Sequence, residues 1–373
     1  MDGNDTERNA RPSLLFFGGY DPDYPRNQVI RKGWGKLGFE LEECRVDFRR
    51  KVHTRYPALI WKYLRRHIKS PVIFVPDFRH KDIPLAWLLS KFSGSRLVFD
   101  PLVSRYETRV LDRADVRASS AQAWHNRNID TISFQLADIL LVDTDVHGRF
   151  YIENFGVSRE KVFTLPVGYD EDIFGEAEPK ERGDVFDVLF FGSFLPHHGV
   201  ETIVRTAWIL RDENFRFTFI GRGQTYESVR AYAAGIPGER LRFIEHVPYR
   251  ELPSFIERAD IVLGIFGKTV KAGLVVPNKV FQSMAMARCV VTAQSKAVSE
   301  FFQSGEHVFT VPAGNADKLA EALRLLEAND EMRQRIASNG AKLVRTLYNS
   351  RRIARRLLDI LNDRGCFESA SRK

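Results

Sequence analysis

VLFFGSFLPHHGVETIVRTAWIL, residues 188–210, is an apolar β-rich run, a small-residue turn and then an amphipathic stretch. FRFTFIGRGQ (215–224) repeats the run and its glycine turn. ADIVLGIFGKTVKAGLVVPNKVFQSMAMARCVVT (259–292) and AVSEFFQSGEHVFTVPAG (297–314) repeat the pattern again. A strand that runs into a small-residue turn and then a helix leaves backbone N–H groups open to a phosphate. Several such openings in one half of a long chain point to a diphosphate-bearing ligand.

Outward from these stretches the same alternation continues. Strands are expected at Leu14–Phe17, Phe39–Cys44, Val72–Val75, Leu97–Asp100, Ile139–Val142 and Val162–Leu165 in the first half. In the second half they are expected at Val185–Phe191, Arg216–Ile220, Leu241–Ile244, Ile261–Ile265, Cys289–Thr292 and Val308–Val311. Helical patterns lie between most of them, for example Val200–Arg211, Ala316–Glu327 and Glu331–Leu347. Apolar strands alternating with helices predict an α/β fold with parallel sheets covered on both faces. The polar segment GEAEPKERGD (175–184) reads as a linker after LPVGYDEDIF (165–174). The expected architecture is two doubly wound, Rossmann-like domains facing across a cleft, over residues 1–174 and 175–350. Residues 351–373 form a C-terminal helix and tail, expected to pack back on the first domain.

The chain has 373 residues, which suits two domains. No apolar run approaches a membrane span, and the opening MDGNDTERNARPS has no apolar signal core. Cys44, Cys289 and Cys366 are too scattered for a disulfide framework, which fits a reducing cytoplasm. The formal charge of +8 favours acidic partners. It is concentrated in RVDFRRKVHTRYPALIWKYLRRHIK (45–69) and RRIARR (351–356).

Residues 185–347 resemble the C-terminal domain of the retaining GT-B glycosyltransferases of family four, the glycosyl transferases group one set. FFGGY (16–20), QLADILLVDT (135–144) and KVFTLPVGYDEDIF (161–174) carry a looser resemblance in the first half. The resemblance implies a GT-B fold and transfer of a sugar from a nucleotide diphosphate to a hydroxyl acceptor, with retention of configuration. It implies no cofactor beyond the nucleotide-sugar co-substrate, and a glycan or lipid-linked acceptor bound by the N-terminal half.

The chain departs from the family at several donor contacts. In GSFLPHHG (Gly192–Gly199), Ser193 and His198 stand where the family carries an Arg and a Lys on the diphosphate. His198 is expected to restore partial positive charge there. In KAGLVVPNKVFQ (271–282), Leu274 and Gln282 replace two glutamates, and Gln282 keeps an amide for the donor ribose. Lys271 and Lys279, with Asn278 between them, are the expected catalytic cations for the departing diphosphate. Arg222, in the Gly221–Gly223 turn, and Glu300 complete the donor set. Gly18 and Gly19 are expected to let the donor approach the backbone. Asp100, at a strand end, is expected to orient the acceptor or stabilise the anomeric carbon, with turn capping as its plain alternative. Arg79, His80 and Arg105 are expected on an acceptor phosphate.

Two Asp-x-Asp runs, DPD (21–23) and DTD (143–145), read as turn and cap residues, so no metal is expected. His125 and His147 read as ordinary polar residues. Ile60, Trp61, Leu64 and Ile68 fall on one helical face within the basic segment 45–69. That pattern suits an anionic membrane surface, peripheral on its inner face, and equally a core-facing helix. Two other readings stay open: a nucleotide-sugar epimerase or phosphorylase on the same fold, and a non-catalytic module binding anionic lipid or nucleic acid. The aromatic-plus-basic strand motifs of RNA modules are missing, so nucleic acid is not expected.

Overall fold

The structure, a computed structural model, describes residues 12–66, 70–177, 180 and 183–367. Most of the polar N-terminus (1–11), linker residues 178–179 and 181–182, His67, Ile68 and Lys69 of the basic segment, and the tail 368–373 lie outside the described residues. Among the described residues, twelve strands form two parallel six-stranded sheets. The first holds β1 (Ser13–Gly18), β2 (Glu40–Arg45), β3 (Val72–Val75), β4 (Arg96–Phe99), β5 (Ile139–Val142) and β6 (Val162–Thr164), in the order β2-β1-β3-β4-β5-β6. The second holds β7 (Phe186–Phe191), β8 (Phe215–Ile220), β9 (Leu241–Ile244), β10 (Ile261–Leu263), β11 (Cys289–Ala293) and β12 (Phe309–Val311), in the order β12-β11-β10-β7-β8-β9. Every expected strand is found, with ends displaced by at most two residues.

Runs such as VIFV in β3 and ILLV in β5 are buried throughout, as strands covered on both faces must be. Apolar clusters lie on both faces of each sheet. In the first sheet the order reverses between β1 and β3, and in the second between β7 and β10. Ligands in open α/β sheets bind outside the carboxyl ends of strands at such switch points. The two sheets present those ends to one shared cleft, lined by residues that follow β3, β4, β5, β6, β7 and β10.

The last helix, Ser350–Asp363, packs against helix Pro25–Lys36 of the first half. Its apolar stripe of Ile353, Ala354, Leu357 and Leu361 enters the same cluster as Val29, Ile30 and Trp34. The crossing is close at Gly33, where an added Cβ would stand 2.0 Å from the Ser350 carbonyl oxygen. Glu171 ties the arrangement down: it accepts from Ser350 N and Oγ and pairs with Lys36. The helix Val52–Arg65 buries only Arg55 and Leu59. Ile60, Trp61 (60 % exposed) and Leu64 (61 % exposed) face outward, so their apolar row is not a core-facing one.

Candidate active site

The cleft encloses a cavity of about 650 Å³, within the usual range for small-molecule sites. Its C-terminal wall begins where β7 ends. Gly192 has φ +134°, and a Cβ there would lie 2.9 Å from Lys279 Nζ. A glycine is needed so that the lysine can lie against the strand end. Lys279 is on the helix Asn278–Ala285, which opens after Pro277. Its side chain is deeply buried (5 % exposed) and stands 3.9 Å above the Phe190 ring. Nζ has no hydrogen-bond partner, and burial pushes its pKa well below the usual lysine range. One turn on, Gln282 Nε2 donates to the Tyr249 hydroxyl at 2.9 Å. Lys271, equally buried, reaches Thr108 Oγ1 of the opposite domain at 3.1 Å.

The N-terminal wall is the segment that leaves β4, with a π-helical turn at Glu107–Asp112. Single π turns recur at functional sites. Two buried carboxylates hold this segment. Asp130 accepts from the backbone N–H groups of Arg105 (3.1 Å) and Tyr106 (2.7 Å) and from Ser104 Oγ (2.7 Å). Glu107 lies 3.0 Å from His147 Nε2, and Asp143 lies 2.6 Å from His147 Nδ1. Burial opposes a charge on that imidazole, but the two carboxylates overcome it and raise the pKa to about 10. His147 is therefore a buried imidazolium that fastens the wall, not an ordinary polar residue. Asp112 then crosses the cleft to His197 Nδ1 (2.7 Å) and Thr269 Oγ1 (2.9 Å).

Of the residues expected at the site, Gly192, Ser193, His198, Lys271, Asn278, Lys279 and Gln282 line the cavity from the C-terminal side. His80 and Arg105 line it from the N-terminal side. His198 does not bring the charge expected of it. Burial first, then Lys279, hold its pKa well below the usual range, and its Nδ1 bonds the Ser193 carbonyl. Burial likewise keeps His80 neutral, with a pKa of about 3.

Other expected residues are elsewhere. Asp100 is fully buried and bound to Arg26 Nε at 2.6 Å, so it neither caps a turn nor faces an acceptor. Gly18 and Gly19 leave room for Asp82 and Arg55, and Gly19 N donates to Asp82. Arg79 props the same loop through the Gly19 carbonyl (2.6 Å) instead of reaching the cavity. Gly199 packs on the backbone of Phe266 and Gly267. Arg222 is exposed and pairs with Glu245 and Glu227. Glu300 caps the helix Asp145–Phe155 of the other domain, accepting from Asp145 N (2.7 Å) and Val146 N (2.8 Å). Leu274, in place of a glutamate, packs with Ile265 and Val275 against Val146 and Phe150 across the domain boundary.

Sequence reasoning missed Thr108, Arg109, Arg113, Asp143, His197 and Tyr249, all of which line the cavity. One signal was available: arginines recur at positions 105, 109 and 113, a spacing of four that places them along one helical face.

Comparison with known proteins agrees with this geometry. Residues 201–359 match the family model described as glycosyl transferase-like. A phosphatidyl-myo-inositol mannosyltransferase of Mycobacterium leprae is 25% identical over 279 residues, covering 72% of this chain and 69% of the relative. Sucrose-phosphate synthase of Thermosynechococcus elongatus superposes with a TM-score of 0.73 at 15% identity, over 95% of this chain and 99% of that one. HepE of Anabaena, solved in complex with UDP, gives 0.70 at 14% identity, over 95% and 100%. The chain thus shares the two-domain fold of these glycosyltransferases, and its residues 201–359 match the glycosyl transferase-like family.

Proposed function

We propose that this chain transfers a sugar from a nucleotide diphosphate to a hydroxyl of a glycan or lipid-linked acceptor, with retention and without a metal. One observation carries the reading: the buried, unpartnered Lys279 amine beside Gly192 at the β7/β10 switch point. A diphosphate seated there gains a charge-assisted hydrogen bond and favours the charged form of the lysine. Lys271 adds a second cation, and the N–H groups opening the helix Asn278–Ala285 add a third source of positive potential. Gln282 and Tyr249 offer an amide and a hydroxyl to the ribose.

The chemistry then needs little from the side chains beyond electrostatics. The anomeric carbon–oxygen bond to the diphosphate breaks as negative charge grows on the departing oxygen. The acceptor hydroxyl forms its bond on the same face and passes its proton to that oxygen. Lys279 and Lys271 stabilise the developing charge.

Thermal unfolding with a panel of nucleoside diphosphates and their sugar conjugates tests the reading, because a ligand that binds the folded chain raises its Tm by mass action. At least one diphosphate is expected to stabilise the wild type, and Lys279→Ala is expected to abolish that shift. Product analysis separates transfer from epimerisation. If every nucleotide leaves the Tm unchanged, a lipid- or nucleic-acid-binding module becomes the better account.

We further propose that the chain works in the cytoplasm and docks on the inner face of a membrane. Trp61 and Leu64 stand outward beside Lys62, Arg65 and Arg66, and the Arg65 guanidinium lies over the Trp61 ring. An outward apolar row rimmed by bases is the composition of an interfacial helix. Sedimentation with anionic and neutral vesicles decides this; no binding to anionic vesicles even at low salt removes the membrane.

A further inference from the structure

The cavity carries more positive charge than a nucleotide diphosphate would use. Five cations line it: Lys271 and Lys279 on one wall, and Arg105, Arg109 and Arg113 on the other. Asp143 is the sole carboxylate among the lining residues, and it is bound to the His147 imidazolium. The two lysines stand at the switch point and match a diphosphate. The three arginines stand across the cleft on the domain that faces the acceptor. We propose that the acceptor carries a phosphate group, bound by Arg105, Arg109 and Arg113. This inference rests on the donor reading above and names the substrate class on the other side of the same cleft.

Three observations support it. First, the arginines are carried by a built wall. The π-helical turn is fixed by Asp130, by Glu107 on charged His147, and by Asp112 across the cleft. Rigid presentation of guanidinium groups is what planar phosphate recognition needs. Second, the arginines are poorly neutralised from within the protein. Arg105 bonds the neutral Asn126 amide oxygen at 3.0 Å, and Arg109 meets only the half-exposed Asp115 at 3.3 Å. Arg113 Nε is buried without a hydrogen-bond partner. Third, the cations crowd one another. Burial, and then Arg109, pull Arg105 below the usual guanidinium range against the pull of Asp130. Like charges held close together in a partly desolvated cleft are relieved when an anion joins them.

Binding measurements on the full chain test the proposal with two matched probe pairs. Glucose 6-phosphate against glucose reports a soluble phosphate ester. Dioctanoyl phosphatidic acid against dioctanoylglycerol reports a lipid headgroup. UDP and GDP report the donor side. In the wild type at least one phosphorylated probe is expected to bind about tenfold tighter than its neutral partner, the scale of one charge-assisted contact. Which pair shows the preference names the source of the phosphate. Arg109→Gln and Arg113→Gln are expected to erase the preference and to leave nucleotide affinity within about twofold, since separate sites act additively. Arg113→Lys, which keeps the charge, is expected to recover part of it. Lys279→Met is expected to do the reverse, losing the nucleotide and keeping the phosphate preference. Equal binding of phosphorylated and neutral probes by the wild type overturns the proposal. So do arginine variants that lose nucleotide and phosphate together. Phosphate preference without any nucleotide binding removes the donor reading alone.

Discussion

Arg26 and Lys279 are both buried cations at strand ends, one in each domain, and their surroundings are opposite. Arg26 has Asp100 at 2.6 Å with both side chains fully buried, and its Nη2 donates to the Leu165 carbonyl at 3.0 Å. Lys279 has an aromatic ring beneath it and no oxygen within hydrogen-bonding reach. A buried charge with a fixed partner belongs to the fold. A buried charge whose only contact is a ring face has been desolvated without compensation, and its pKa falls for that reason. The contrast separates scaffold from binding surface more sharply than residue type does.

The strongest way to break the contrast is Arg26→Met. It strands Asp100 in the interior, and a loss of about 3–5 kcal/mol in stability is expected from removing one partner of a buried pair. Chemical denaturation reads this directly; a loss within the range of surface substitutions would mean that the pair is not what holds the first domain. Lys279→Ala is expected to behave the other way. Turnover falls about a hundredfold, the scale of one preorganised electrostatic group, while stability is kept or improved. Unchanged kcat in that variant takes Lys279 out of the chemistry.

His147 sharpens the comparison because it is a buried cation with two partners. Its pKa is about 10 in the folded chain, above the ordinary histidine value. A raised folded pKa contributes stability that is complete below about pH 6.5 and is lost as the pH climbs through about 10. The wild-type Tm is therefore expected to fall between pH 7 and pH 10 by more than that of His147→Gln. Parallel curves for the two proteins would show that the imidazole is not charged. The smallest effect is expected at Glu300. Glu300→Gln weakens a helix cap worth up to about 1 kcal/mol and leaves nucleotide affinity unchanged. A collapse of donor affinity would return Glu300 to the donor site.

The strands were legible because buried parallel strands write themselves as short apolar runs, and turn residues punctuate them. The C-terminal wall was legible for a related reason. Gly192, Lys279 and Gln282 sit in local strand–turn–helix units whose geometry follows from neighbouring residues. What failed was long-range pairing. Asp100 reads as a cleft acid until Arg26, distant in sequence, is brought against it by β1 and β4 lying close in one sheet. Glu300 reads as a donor ligand until the helix start at Asp145 arrives from the other domain. The arginines at 109 and 113 were visible as a spacing of four but invisible as a wall. The π-helical turn that aims them depends on Asp130, Glu107 and His147 meeting in the core.

The closing helix gives the molecule a double suspension. The chain passes between the halves twice, outward near residue 175 and back near residue 348, where Tyr169 N donates to the Tyr348 carbonyl. Two strands of polypeptide side by side restrain sliding and twisting more than they restrain folding about their common line. Any gaping of the jaws is thereby steered into a swing about that seam. A fragment that stops before Ser350 would lose both the second strap and the oily stripe that finishes the first half.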